Sequence, residues 1–267
     1  MTLHFLILCL LGAGLALAFV EAWRRRREPP PMPPTVGPEK SLEKLRARGV
    51  ARSLPAEFAQ AVQERIEELI GLLTEAHSAL IGGGPGALGL AAKKIVDGRR
   101  LTGHAWRKYL AASTSAAKVG AQIKEAFQKD AEPLVNEITR LLAAQPTPTL
   151  VQREEAYVLM CAACGESAVT FRSEKGSICA NSISNVYATT WWSGETGLRL
   201  AQLLAEGDAR AVLDYLASPD RLHCPAYCPE CDRVYCREHY AVDDEWSGSW
   251  YTAGYATCPL GHEREFE

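Results

Sequence analysis

The C-terminal half of this 267-residue chain contains four closely spaced pairs of side chains that can bind a metal ion. The pairs are Cys161 with Cys164, Cys228 with Cys231, Cys236 with His239, and Cys258 with His262. Cysteine thiolates and histidine nitrogens are ligands that Zn²⁺ prefers, and a Cys-x-x-Cys spacing lets one tight turn offer two thiolates to one ion. Because a structural zinc site takes four ligands, the eight side chains predict two structural zinc ions.

The spacing between the pairs predicts how they combine. Only four residues, Asp232–Tyr235, separate the second pair from the third, and so short a link makes it sterically awkward for consecutive pairs to share an ion. We therefore expect the pairs to interleave, the first with the third and the second with the fourth. The expected sites are Cys161, Cys164, Cys236 and His239, and Cys228, Cys231, Cys258 and His262. Cys179 and Cys224 are left over, and either could replace a ligand; in an oxidising compartment the cysteines could instead form disulfides.

Part of this region resembles a known class of zinc finger. The segment 228–240 reads Cys-Pro-Glu-Cys-Asp-Arg-Val-Tyr-Cys-Arg-Glu-His-Tyr, and residues 258–262 read Cys-Pro-Leu-Gly-His. Together they resemble the cross-brace zinc fingers of the RING and FYVE type, which are of the treble-clef kind. The resemblance covers the C-terminal domain only and implies a fold built around two zinc ions. The chain departs from those families in the 63 residues, Gly165–Tyr227, that separate its first two ligand pairs. It also departs in the Cys-x-x-x-His spacing of its last ligand pair.

The first 23 residues have the composition of a membrane span. No side chain from Leu3 to Val20 carries a formal charge, and a helix of that length measures about 27 Å, enough for a bilayer core. Four arginines follow at 24–27, which predicts a single-pass protein with its N-terminus outside and its C-terminal domains in the cytoplasm. A cleaved signal peptide is the alternative, since 16–18 resembles a cleavage site, but the basic start of a signal peptide is missing.

Three further segments follow from composition and periodicity. Residues 24–40 are basic and proline-rich and predict an extended spacer. Residues 41–145 carry apolar side chains at helical spacing and predict a small helical domain, in which we expect Pro133 to kink or divide the last helix. Its expected core includes Phe58, Ile66, Ile123 and Phe127. Residues 150–267 combine β-like runs with a helical insertion and predict an α+β domain with two zinc ions. The expected fold class is therefore mainly α, with an N-terminal transmembrane helix, a small helical domain and a C-terminal α+β two-zinc finger domain.

The charge and the ligand sets favour binding over catalysis. Residues 141–267 hold nine Lys and Arg against eighteen Asp and Glu, and this acidic balance makes nucleic acid an unlikely partner for the C-terminal domain. Sites with four protein ligands leave no position for a reacting water, so the sequence offers little support for an enzyme.

The leading hypothesis is a membrane-anchored cytoplasmic zinc-finger protein that binds an unknown protein partner. The aromatic residues expected to be exposed for that partner, in a long final loop, are Trp246, Trp250, Tyr251 and Tyr255. Two alternatives remain open: a ligase-like adaptor that positions a carrier protein, and binding of nucleic acid or anionic lipid through the basic helical segment 93–108. The glycine-rich segment 82–89 lacks the ending of a phosphate-binding P-loop, so we expect an interhelical loop there, with its role open.

Overall fold

The computed structural model describes residues 40–145, 149–181, 189–217, 226–247 and 250–266, and one compact unit runs from Glu39 to Glu267. The described residues form a helical part, 40–145, followed by a C-terminal part that contains three antiparallel sheets. The two parts contact each other within this unit. The boundaries predicted for separate domains at 41–145 and 150–267 stay predictions.

Five α-helices make up the described helical part. They are α1 (Ser41–Arg48), α2 (Ala56–Gly82), α3 (Ala87–Leu101), α4 (His104–Leu110) and α5 (Thr114–Ala143), with a 3₁₀ turn at Val50–Ser53. On α2 and α5 the apolar residues recur every three or four positions, so each helix buries one face and leaves charged side chains on the other. Phe58, Ile66, Ile123 and Phe127 are all buried, which confirms the expected core.

The C-terminal part is built from short antiparallel strands and two helices. In the described residues the strands are β1 (Leu150–Arg153), β2 (Ala156–Met160), β3 (Ser167–Glu174), β4 (Ser177–Asn181), β5 (Thr189–Trp192), β6 (Tyr227–Cys228), β7 (Arg233–Val234), β8 (Ala241–Ser247), β9 (Trp250–Thr257) and β10 (Glu263–Phe266). Strands β1 to β5 form one sheet in chain order, β8 to β10 form a second sheet with β9 in the centre, and β6 pairs with β7. The final segment expected to be a loop is thus a β-hairpin, in which Ser247 pairs with Trp250.

The long gap between the first two ligand pairs is occupied by folded structure. It contains β3, β4 and β5, then α6 (Gly194–Glu206) and α7 (Ala209–Leu216), which confirms the helical insertion. Helix α6 packs on β4 and β5, and Leu200 and Leu204 on α6 are buried. The insertion therefore extends the sheet and covers it, while the first Cys pair lies at the far end of β2.

The expected fold class was wrong. The structure combines a helical N-terminal part with a C-terminal antiparallel sheet, and none of its described helices is both long enough and apolar enough to cross a membrane. The physical reason is that the two longest helices are amphipathic: α2 carries Glu64, Glu67 and Glu68 on its solvent side, and its apolar side packs in the core.

The same finding contradicts the predicted localisation as a single-pass membrane protein with cytoplasmic C-terminal domains. The segment 1–23, on which that prediction depended, lies outside the described residues, and so does the predicted spacer up to residue 39.

Candidate metal centres

The first cluster, called site 1, joins the turn after β2 to the turn after β7. Cys161 and Cys164 lie in a tight turn in which Cys161 N–H donates to the Glu166 carbonyl at 2.7 Å. Gly165 follows with a φ of +72°, a conformation that favours glycine. Cys236 precedes a single 3₁₀ turn, Arg237–His239, which ends at His239 and brings the third pair to the same point.

The four ligand atoms of site 1 converge on one point. Nδ1 of His239 lies 3.1 Å from the Cys236 sulfur and 3.7 Å from the Cys161 sulfur. The sulfurs of Cys164 and Cys236 are 3.9 Å apart, and all four atoms lie within 4.8 Å of one another. Cys161 and His239 are buried, so the cluster is shielded from solvent on one side.

The second cluster, called site 2, joins the β6–β7 turn to the turn between β9 and β10. Cys228 ends β6 and Cys231 lies in the turn after it. Cys258 and His262 lie in the second turn, where Cys258 N–H donates to the His262 carbonyl at 3.0 Å. Nδ1 of His262 lies 3.5 Å from the Cys228 sulfur and 3.6 Å from the Cys258 sulfur. These four ligand atoms also lie within 4.8 Å of one another.

These separations fit a zinc ion at each centre. With Zn–S near 2.3 Å and Zn–N near 2.0 Å, the edges of a ligand tetrahedron are about 3.8 Å between sulfurs and about 3.5 Å between sulfur and nitrogen. The observed sulfur–sulfur separation of 3.9 Å and the three sulfur–nitrogen separations of 3.5 to 3.7 Å match those edges, while the separation of Cys236 and His239 is shorter, at 3.1 Å. The seven cysteines among the described residues are all free thiols. Two Cys₃His clusters could therefore each hold a metal ion, consistent with zinc.

The thiol acidities show why such clusters favour a cation. A hydrogen bond from the Cys161 thiol lowers the pKa of Cys236 to about 4, while hydrogen bonds to Cys164 and Cys236 raise the pKa of Cys161. In site 2, a hydrogen bond from Cys228 lowers the pKa of Cys258 to about 3. One thiol of each cluster thus ionises readily while a neighbour keeps its proton, because adjacent thiolates repel each other. A divalent cation removes that repulsion and lets every thiol ionise.

The structure thus places all eight predicted ligands in two groups, and the groups are those of the interleaved arrangement. That these side chains ligate zinc stays a prediction. Of the two leftover cysteines, Cys179 is buried in β4 and belongs to neither group, and Cys224 lies outside the described residues.

The chain between the second and third ligand pairs packs tightly between the two centres. Tyr235 is fully buried, its hydroxyl lies 3.4 Å from the Cys231 sulfur of site 2, and Cys236 of site 1 follows it directly. Its ring meets Tyr240 edge to face, with the ring centroids 5.8 Å apart. Ala162 N–H also donates to the Val234 carbonyl at 2.8 Å, which ties the first Cys turn to β7. The two centres are therefore parts of one packed module.

Helix α3 of the helical part contributes groups beside both centres. Nε2 of His239 in site 1 lies 2.8 Å from the Gly89 carbonyl oxygen. At the other end of the helix, the Arg99 guanidinium donates to the Cys258 carbonyl of site 2. Arg100 donates to the carbonyls of Tyr240, at 2.6 Å, and Arg237, at 2.9 Å, on either side of His239. Sequence reasoning missed these contacts, because nothing in the pattern of α3 relates it to the cysteines.

The same contacts engage several side chains of the basic segment 93–108. Lys93 forms an ion pair with Glu238, and Lys94 forms one with Glu75. Arg99 and Arg100 bind main-chain carbonyls of the C-terminal part. Four of the cations proposed to bind nucleic acid or anionic lipid thus have partners within the chain. Binding of either ligand stays a prediction.

Comparison with known proteins gives one match. Residues 151–267, less than half of the chain, match the model of a domain of unknown function, DUF8328, and that match identifies no zinc-finger family. No curated protein matches the chain. No solved structure matches it either.

Proposed function

We propose that this chain is a structural zinc-binding protein whose C-terminal part is a cross-brace module that binds a protein partner. The observation that carries the proposal is the closed donor set of each centre, three thiols and one imidazole around a single point. In such a site the protein fills all four positions of zinc, so the ion stabilises the fold and leaves no position for a substrate. The interleaved groups and the resemblance of segment 228–262 to cross-brace fingers support the module.

Exposed apolar side chains near the covered sheet support a protein partner. Trp191 on β5 is 48% exposed, and Leu198 on the next element, α6, is 71% exposed. Aromatic residues are enriched in protein interfaces, which makes Trp191 the leading candidate contact for a partner. The acidic balance of residues 141–267 disfavours nucleic acid at this surface.

Metal analysis of the purified full chain tests the first half of the proposal. We expect two zinc ions per chain, and Cys161→Ser and Cys228→Ser each to remove one of them. A wild-type chain purified without metal chelators that holds no zinc, or only one ion, would contradict the proposal.

A crosslinking experiment tests the second half. A photoreactive amino acid at position 191 should trap a partner, and Trp191→Ala with Leu198→Ala should then weaken binding of the purified partner at least tenfold, since central aromatic contacts dominate protein interfaces. Ile81→Ala is the matched control, because Ile81 is 58% exposed on α2. Equal binding by all three chains would argue against a role of Trp191 and Leu198 in partner binding.

A further inference from the structure

The main chain of helix α3 sets the orientation of one candidate ligand. The Gly89 carbonyl lies 2.8 Å from Nε2 of His239, and a carbonyl can only accept, so Nε2 carries the proton. A neutral imidazole holds one proton, so this bond leaves the lone pair of Nδ1 for a metal. Nδ1 is the nitrogen that faces the Cys236 and Cys161 sulfurs. His239 is 4% exposed, so water does not compete freely for its ring.

The helix reaches His239 because residue 89 has no side chain. A Cβ at this position would lie 3.0 Å from the Cβ of Cys164 and 3.2 Å from the Ala163 carbonyl oxygen. These distances are shorter than ordinary van der Waals contacts, and both neighbours belong to the first Cys turn. A larger residue at 89 must therefore push the helix and the turn apart, which moves the carbonyl away from His239.

We propose that the Gly89 carbonyl is a positioning group for site 1, supplied by the helical part, which holds His239 in the tautomer and orientation that zinc requires. The proposal rests on the proposed zinc binding. Mutation of the hydrogen-bond partner of a ligating histidine typically lowers metal affinity by about 10–100-fold. Displacing the carbonyl should weaken zinc at site 1 by about that factor and leave site 2 unchanged, because His262 has no contact with Gly89.

The first test compares Gly89→Ala with Gly71→Ala in the full chain. Gly71 also lies inside a helix, and a Cβ there would meet nothing within 4 Å. Competition with a chromogenic chelator should show one zinc equivalent held about 10–100-fold more weakly in Gly89→Ala and two normal equivalents in Gly71→Ala. Two normal equivalents in Gly89→Ala would overturn the proposal.

A double-mutant comparison separates positioning of His239 from packing on Cys164. The variant His239→Cys keeps four zinc ligands but has no ring N–H to donate to the Gly89 carbonyl. If the carbonyl acts through the ring, Gly89→Ala should lose most of its effect in the His239→Cys background. An equal loss of affinity in both backgrounds would mean that the added methyl acts only by packing, which overturns the proposal.

A measurement on the wild-type chain avoids the question of whether a variant folds. In a long-range ¹H–¹⁵N spectrum of the zinc-loaded protein, His239 should show a protonated Nε2 and a metal-bound Nδ1. Metal on Nε2 would overturn the positioning role and leave the proposed zinc binding intact. A wild-type chain without zinc would overturn both.

Discussion

At the residue scale, the buried carboxylate of Asp130 on α5 caps the N-terminus of α1, a helix distant from it in the sequence. It lies on α5, 3% exposed, and accepts the main-chain N–H groups of Ser41 at 2.8 Å and Leu42 at 2.9 Å. These amides open α1 and have no partner within their own helix. A negative charge at a helix N-terminus also interacts favourably with the helix dipole. Asp130 thus caps α1 from another helix, in the absence of a cap from the α1 sequence itself.

The first prediction concerns this cap. Asp130→Ala should lower the free energy of unfolding by about 2–4 kcal/mol, because it removes two hydrogen bonds to a charged group and leaves one buried and one partly buried amide without an acceptor. Asp130→Asn keeps one acceptor oxygen and should cost less. The exposed Glu132 on the same helix provides the control, and Glu132→Ala should change stability by less than about 0.5 kcal/mol. Urea unfolding of the full chain measures all three, and equal midpoints would contradict the capping role.

Arg99, beside site 2, is a second charged side chain that binds the main chain of a distant segment. Burial lowers its pKa from the ordinary value, and the negative Cys258 side chain partly offsets that effect. A Cys₃His zinc site carries one net negative charge, which a neighbouring guanidinium stabilises. The donation from Arg99 to the Cys258 carbonyl also fixes the turn that presents Cys258 and His262.

The second prediction follows from this contact. Arg99→Ala should lower the unfolding free energy of the zinc-loaded chain by about 1.5–3 kcal/mol, the usual worth of a hydrogen bond to a charged group. Zinc at site 2 should also exchange faster with a chelator. Arg107→Ala is the control, since Arg107 is exposed. If both arginine variants match the wild type, Arg99 does not support site 2.

At the scale of elements, the contact of α3 with α5 depends on close approach. Phe127 on α5 is fully buried, and a Cβ at Gly98 on α3 would lie 2.3 Å from its ring. The ring therefore occupies the space that a side chain at 98 would need. This helix contact places α3, and with it Gly89 and Arg99, against the C-terminal part.

The third prediction pairs two glycine substitutions with opposite expected signs. Gly98→Ala should destabilise the chain by about 1–3 kcal/mol, because the core around Phe127 cannot expand freely. Gly71→Ala adds the same methyl group to an open helix position and should stabilise by up to about 1 kcal/mol through better helix propensity. Thermal unfolding followed by circular dichroism distinguishes the two. A Gly98→Ala chain as stable as Gly71→Ala would show that the helices can separate without cost.

Helices could be predicted from the sequence where one face of the helix is buried in the core. The hydrophobic periodicity of α2 and α5 predicted both helices, because apolar residues at every third or fourth position line one face of a helix. Pro133 was expected to kink or divide α5; it does not divide the helix, which runs from Thr114 to Ala143, and the kink stays a prediction. Proline removes one main-chain hydrogen bond, but Ala131 and Leu134 on either side of it are buried and keep the helix in the core.

At the scale of the whole molecule, the zinc centres and the helical part share one compact unit. Structural zinc contributes about 10–16 kcal/mol of apparent binding free energy in small fingers, comparable with the entire stability of a domain. We therefore expect the C-terminal part to depend on the two proposed zinc ions. Helix α3 contacts both centres, but it also packs on α2 and α5, and its Gly98 lies against Phe127 of α5.

The fourth prediction concerns removal of the metal. After chelation, hydrogen exchange should become fast at 226–240 and 256–262, intermediate at Ala87–Leu101, and remain slow in the middle of α2 and α5. The order follows from the contacts: the ligand turns lose their support, α3 loses its contacts with the C-terminal part but keeps those with α2 and α5, and α2 and α5 keep theirs. Unchanged exchange in α3 would show that the helix is held by the helical part alone.

The amino-acid sequence by itself determined the eight candidate ligands, their interleaved grouping and the amphipathic helices. These features depend on residue type and short spacing, and the structure groups the eight side chains as the spacing predicts. Only the tertiary structure decided which groups surround those ligands. The Gly89 carbonyl meets a ring 150 positions away, and Asp130 caps a helix 89 positions before it. Every residue has a carbonyl, so such a contact has no signature in the sequence and exists only once α3 has packed against the C-terminal part.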